Sequence, residues 1–294
     1  MQKNAIGNPI YEKMFLSKKN EVSHLMTDTR TKAFLNLHAI LGSLPMLCAL
    51  DADASALLQA KNTDRTVGIC VTNGPAGIFS FQGGACTYTE CTPGTPSTLG
   101  TPSTLDRRAC DILLSFPTPE KFNGMIDGTV TPIPKKGLTK AGFLTGPFTR
   151  LTDRLTAYLR PEKAALADPA FFRISTYLMF HVIAHAVCCI GNEDAIGQLS
   201  ASYIPDGTLL LSAGSDISFA ICFKDHKLTL SADPAKEHIT SEMRFADLTT
   251  ARALFDGAIN AVSSVGDGII QMRGMIPQVD NVNRILDRVA LYLA

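Results

Sequence analysis

The chain closes on ILDRVALYL at residues 285–293, and LTDRLTAYL stands at residues 151–159. A chain that carries one terminal segment twice is constrained to fold as two related units, so internal repetition is read before anything else. The match sets Asp153 and Arg154 on Asp287 and Arg288, and Tyr158 and Leu159 on Tyr292 and Leu293. Upstream, MIDGTV (125–130) matches LFDGAI (254–259). A phenylalanine precedes each Asp-Gly by 11 residues, Phe116 before Asp127 and Phe245 before Asp256. Further back, FLNLHAI (34–40) lies over YLMFHVI (177–183), and each is followed by an acidic turn holding Asp51 or Asp194. These matches keep one order along the chain, which two unrelated amphipathic helices would not do. The division is a lead segment 1–26, a first unit 27–162 and a second unit 163–294. A shorter repeat, GTPSTL at 94–99 and again at 100–105, is a Pro-, Gly-, Ser- and Thr-rich loop between strands.

Two units need two cores, and 46% apolar against 18% charged residues in a chain of 294 supplies them. Lys+Arg and Asp+Glu both number 27, and the longest basic run is Lys135-Lys136. That balance gives no electrostatic footprint for nucleic acid or an anionic membrane. The first 24 residues hold no continuous apolar stretch, so no signal peptide is expected and a reducing cytoplasm is the expected compartment. The eight cysteines then read as small buried hydrophobes, and no CxxC pair gives them zinc-site spacing. The longest apolar run, YLMFHVIAHAVCCI (177–190), is shorter than the ~18 residues of a membrane span and carries two histidines. It reads as a buried helix, without stable membrane insertion.

Each unit should begin with this helix. In the second, Asp168-Pro169 supplies an N-cap and a proline at the first helical position. In the first the helix begins near Thr31 and should be broken by Pro45. Alternating strands follow: TVGICV (66–71), IFSFQ (78–82) and ACTYT (85–89), then TLLLSA, ISFAICF and HKLTLSA, with Lys224-Asp225-His226 as a tight turn. A fourth strand (110–116 or 241–246) leads to a helix ending at the Asp-Gly. A fifth strand, 138–146 or 268–274, delivers the chain to the terminal helix. That helix carries Val282, Ile285, Val289 and Leu293 as one stripe, broadened by Leu286 and Tyr292; Phe148, Leu151, Leu155 and Leu159 correspond. Asp287 and Arg288 should fall on or near the opposite face. The fold class is α+β: two tandem units, each a mainly antiparallel five-stranded sheet covered by helices.

The stretch 242–293 (EMRFADLTTARALFDG through GIIQMRG to ILDRVALYL) resembles the closing half of a sterol carrier protein 2 (SCP2-type) domain. The features that carry the resemblance are Phe245, the helix-ending Gly257, the strand Gly268–Gly274 and the apolar helix Ile285–Leu293. The first copy departs from the pattern at AGFLTG (141–146). The resemblance implies a non-catalytic protein, with no cofactor and no metal, holding a fatty acid, acyl chain or sterol-like lipid in an apolar tunnel under the terminal helix. The expected walls are Phe219, Ile221, Ile285, Val289 and Leu293, with Phe79, Phe81, Leu151, Leu155 and Leu159 in the first unit. Such a pocket needs only apolar walls, since each buried methylene contributes about 0.8 kcal/mol. The same residues also serve as plain core. A protein-interaction module with a solid interior, acting through a protein partner or a homo-oligomer, is the alternative, and an accessory partner of a lipid-metabolising enzyme is the weaker one.

Few patterns carry chemistry. His181 and His185 are one helical turn apart, but the glutamate of HExxH is missing and the flanks are apolar, so hydrogen-bonded core histidines are expected over a metal site. Cys188 and Cys189 share that buried helix, where a thiolate is disfavoured. FQGGACT (81–87) and SSVGDG (263–268) read as turn glycines, not phosphate loops, and Asp127 and Asp256 as caps and turns, not an acid–base pair.

Overall fold

The computed structural model describes residues 27–60, 63–91, 110–259 and 261–293. The lead segment and the GTPSTL repeat lie outside the described residues. The first unit runs α1 (Thr29–Leu50), α2 (Ala52–Leu57), β1 (Arg65–Val71), β2 (Ala76–Gln82), β3 (Ala85–Cys91), β4 (Ile112–Phe116), α3 (Pro119–Ile126), β5 (Pro134–Lys136) and α4 (Thr149–Leu159). The second runs α5 (Pro169–Glu193), α6 (Ala195–Ala201), β6 (Gly207–Ala213), β7 (Ile217–Lys224), β8 (Lys227–Leu230), β9 (Ser241–Phe245), α7 (Leu248–Phe255), α8 (Ala261–Gly266), β10 (Ile270–Gly274) and α9 (Ile276–Leu293).

The two sheets have one topology. Their orders, β3-β2-β1-β4-β5 and β8-β7-β6-β9-β10, are the same once the strands are counted within each unit. Three of the four pairings in each sheet are antiparallel, as alternation and short turns dictate. The fourth is parallel: Val71 faces Phe116 in the first sheet and Ala213 faces Phe245 in the second. The sheets are therefore mixed, a feature the period-two pattern cannot reveal, because alternation is the same in either direction. The hairpin turns obey their chemistry. Gly83 and Gly84 turn β2 into β3, and Asp225 and His226 turn β7 into β8, all four with positive φ as a two-residue type I′ loop requires.

Three sequence expectations change. Pro45 does not break α1: the helix passes through a π-helical stretch (Leu35–Ile40) and a 3-10 turn (Leu41–Ser43), and Pro45 then sits in the first turn of the closing α segment. There its missing N–H costs little. The fifth strand of the first unit is Pro134–Lys136, not 138–146; there Leu138–Lys140 is a 3-10 turn and Leu144–Phe148 is π-helical. Gly137 ends that strand with φ 82°, and Gly274 ends β10 with φ 91°. A Cβ on either would meet a backbone oxygen, Asp111 O at 2.2 Å or Thr240 O at 2.1 Å, so the two glycines are one repeated position. From that glycine the first unit takes 17 residues to reach Arg154, where the second takes 14 to reach Arg288. The 3-10 turn Leu138–Lys140 and the π turn Leu144–Phe148 both lie within this longer stretch. Third, of residues 263–268, expected as turn glycines, 263–266 close the short helix α8, while Gly268 does turn, with φ 72°.

The short helices α2 and α6 were also unforeseen. Asp51 and Asp194 are their N-caps, accepting from the N–H groups of Asp53 and Ala54 and of Ile196 and Gly197. Across the molecule, α1 and α5 pack antiparallel: Arg30 pairs with Glu193 at 2.6 Å near one end, and the Cys189 thiol reaches Phe34 O at 3.9 Å. Leu35 and Ala39 of α1 join the core of the second unit, and Leu178 of α5 joins that of the first. Both helices are long and apolar enough to cross a membrane, at 22 and 25 residues, yet most of each is buried against the two sheets and against its partner.

Candidate functional site

The ten expected wall residues fall into two separate apolar interiors. Phe79 and Phe81 project from β2 onto α4, where Leu151 and Leu155 are fully or almost fully buried. Phe148 closes this group edge-on, with ring centroids 6.5 Å from Phe79 and 6.1 Å from Phe81. In the second unit Phe219 and Ile221 of β7 share a core with Ile285 and Val289 of α9. Leu159 and Leu293, at the ends of the terminal helices, are half-buried and border these cores. The residues are thus gathered beneath each terminal helix, and at the same time they pack on one another. A cavity of about 480 Å3 lies elsewhere, as an open groove on the rim of the second unit lined by Tyr203, Ile276, Pro277, Asp280, Asn281 and Arg284.

Each terminal helix is held by a buried ion pair. In the second unit Arg288 donates two hydrogen bonds to Asp194, Nε to Oδ1 at 3.2 Å and Nη2 to Oδ2 at 2.6 Å, and Tyr292 Oη donates to Oδ2 at 2.7 Å. In the first unit Arg154 grips Asp51 through Nε and through Nη2, the latter at 2.9 Å, and reaches Asp53 at 2.8 Å. Tyr158 lies beside the Asp51 carboxylate, as Tyr292 lies beside that of Asp194. Burial pushes both carboxyls up, but the arginine, the tyrosine and the α2 or α6 N-terminal N–H groups together hold them below the ordinary value. The two latches differ in exposure: the Arg288 side chain is 9% exposed and that of Arg154 34%, while both aspartates are at 4%. Tyr292 also accepts the Asp28 N–H at 2.9 Å, joining the end of α9 to the start of α1.

This corrects the placement of Arg288, which faces inward; Asp287 does stay outside the buried set. The signal was present in the sequence. The Asp-Arg pair recurs in each terminal helix, and the acidic turn recurs at Asp51 and Asp194. An arginine beside an apolar stripe reads as solvent-facing, and nothing local in the sequence links it to an acidic turn 94 residues away.

The histidines meet where α1 crosses α5. His181 and His185 have ring centroids 4.4 Å apart, and His38 Nδ1 lies 2.6 Å from Tyr88 Oη and 3.8 Å from Glu90. Burial lowers His38 to about 4, His181 to about 3 and His185 to about 4, with the nearby His185 charge adding to the first two. All three are neutral near neutral pH. His38 is hydrogen-bonded, but of the pair expected as hydrogen-bonded core histidines, His181 and His185, His181 has its Nδ1 buried without a partner. Among the described residues no cluster of three or more His, Cys, Asp or Glu side chains has metal-holding geometry. Cys188 and Cys189 are buried and their thiols are pushed up, chiefly by burial. Asp127 and Asp256 cap their helices beside Gly128 and Gly257, and Asp256 also binds the buried Arg252 at 2.8 Å.

No protein-family model matches the chain, and no curated protein matches it. Eight solved chains do. One is a ubiquinone synthesis protein described as UbiJ-SCP2, 12% identical, with 40% of this chain and 98% of that one covered and a TM-score of 0.30. A second is a conserved hypothetical protein of Thermus thermophilus whose description offers a sterol carrier protein as its identity: 17% identity, 38% and 86% coverage, TM-score 0.30. A third is sterol carrier protein domain 2 of Helicoverpa armigera: 13% identity, 42% and 92% coverage, TM-score 0.30. What the chain is similar to in these three comparisons is the sterol carrier protein 2 domain.

Proposed function

We propose that the protein binds, without catalysis, a hydrophobic small molecule of the fatty acid, acyl chain or sterol-like class, between the inner face of a sheet and its terminal helix. The observation that carries this reading is the repeated arrangement itself. In both units an amphipathic helix covers a wholly apolar strand face, and a single Asp–Arg–Tyr cluster at its far end holds it there. An alkyl chain entering that space replaces side-chain contacts with equivalent ones and needs no polar recognition. Because the wall residues touch one another in this state, binding requires the terminal helix to lift, with the latch as the restraint. The test is native mass spectrometry of the purified full chain, with a titration of a fluorescent fatty acid. Co-purifying lipid, or saturable binding of one or two probes per chain, supports the reading. A ligand-free protein with no saturable binding refutes it.

A second reading has its own observation. Ile196, Leu199 and Tyr203 follow one face of α6 and the turn after it, and Ile276 lies across the groove; all four are exposed. An exposed apolar patch beside two filled cores fits a protein-interaction module. A ligand-free chain that self-associates, or that captures a defined protein through this patch, favours it.

A further inference from the structure

Cys48 lies in the last turn of α1 and Cys86 at the start of β3. Both side chains belong to the buried core of the first unit, and each residue is 6% exposed. The equivalent positions of the second unit are in contact. Asp51 and Asp194 cap equivalent helices, which sets Gly191 on Cys48. Phe116 and Phe245 end equivalent strands, and from there the registers Val67–Phe79 and Phe81–Cys86 run parallel to Leu209–Ile221 and Phe223–Leu228. Leu228 therefore occupies the place of Cys86. A Cβ on Gly191 would lie 2.7 Å from Leu228 Cδ2, so the two positions are in direct contact in that unit. One spot beneath the latch is filled by a leucine folded over a glycine in the second unit, and by two thiols in the first.

We propose that Cys48 and Cys86 are a redox pair that closes to a disulfide under a hydroperoxide, a covalent clasp present in the first unit alone. Cys48 attacks first: the neighbouring Cys86 thiol lowers that of Cys48 against burial and the Asp51 charge, while the Cys86 thiol is pushed up. The Cys48 sulfur attacks the peroxide O–O bond. An S–O bond forms, the O–O bond breaks, and the departing oxygen leaves as water (or as an alcohol from an organic hydroperoxide) with the thiol proton. The Cys86 sulfur then attacks the resulting sulfenic acid. The S–S bond forms, the S–O bond breaks, and the hydroxyl leaves as water with the Cys86 proton. Two electrons pass from the two thiols to the peroxide. The bond ties α1 to β3 just before Asp51, the residue that grips Arg154, so oxidation braces the first latch and leaves the second unchanged.

The test treats the purified full chain with hydrogen peroxide, raised stepwise to the level that oxidises the half-buried Cys222. Remaining thiols are alkylated under denaturing conditions and the peptides mapped by mass. The expected result is a Cys48–Cys86 linked peptide pair, lost on adding dithiothreitol, with a rise in melting temperature. The double variant Cys48→Gly, Cys86→Leu copies the second unit and should show no rise. The proposal is overturned if both thiols remain alkylatable when Cys222 is oxidised. It is equally overturned if each is oxidised separately to a sulfinic acid, or if the double variant shows the same rise.

Discussion

Replacing Arg288 by alanine removes one partner of a buried pair and leaves Asp194 at 4% exposure with only Tyr292 and two helix N–H groups. Stranding a buried charge in this way costs about 3–5 kcal/mol. The same substitution at Arg154 acts on a guanidinium 34% exposed, which water partly replaces. Its cost should fall to about 1–2 kcal/mol, between the buried range and the ~0–1 kcal/mol of surface pairs. Guanidinium chloride unfolding of both variants, with m-values compared to establish that the transition stays two-state, gives the two numbers. If the latch also restrains the terminal helix, R288A should take up a fluorescent fatty acid faster than the wild type in stopped flow. The reasoning fails if R154A costs as much as R288A, or if R288A costs less than about 1 kcal/mol, well below the range for a stranded buried charge.

Other consequences are simpler to state. Ile285 is fully buried between α5 and β8, so I285A should cost about 2–5 kcal/mol in chemical denaturation, and a smaller loss would mean the site collapses easily. G274A should cost more than G257A. Both glycines have positive φ, worth about 1–2 kcal/mol, but only the first would also drive a Cβ to 2.1 Å from Thr240 O. The three buried histidines have folded pKa values of about 3–4 against 6.5 unfolded, so the unfolded chain binds protons first as the pH falls. Their stabilising contribution is complete above pH ~6.5 and is lost down to pH ~4 for His38 and His185 and pH ~3 for His181, at up to about 1.4 kcal/mol per pH unit for each histidine. The triple variant H38Q/H181Q/H185Q should flatten that part of the pH–stability curve; an unchanged slope would show that carboxylates dominate it.

The duplication made most of the fold legible. Aligned phenylalanines, Asp-Gly turns and terminal helices fix element order, and the strands at 65–71, 76–82 and 207–213 follow from alternation. The parallel pairing of β1 with β4 was not legible, because it joins residues far apart in sequence with no short turn to mark it. The first-unit fifth strand is not legible at 138–146, where Leu138, Ala141, Phe143 and Leu144 do not alternate and only the place before the terminal helix suggests a strand. What decides the matter is Gly137, whose left-handed backbone ends the strand against Asp111. The interiors were legible as apolar stripes. The latches were not, although both of their halves repeat, since a buried arginine and an acidic turn are joined only in three dimensions.

The most direct test of the central claim is a photoactivatable fatty acid cross-linked to the full chain and mapped by peptide mass. The account predicts label on the strand segment Ile217–Lys224 and on the helix Ile276–Leu293 at its inward positions Ile285 and Val289, with or without the matching first-unit peptides. Label confined to the Tyr203–Ile276 groove, or no label above that of an unfolded control, would contradict it.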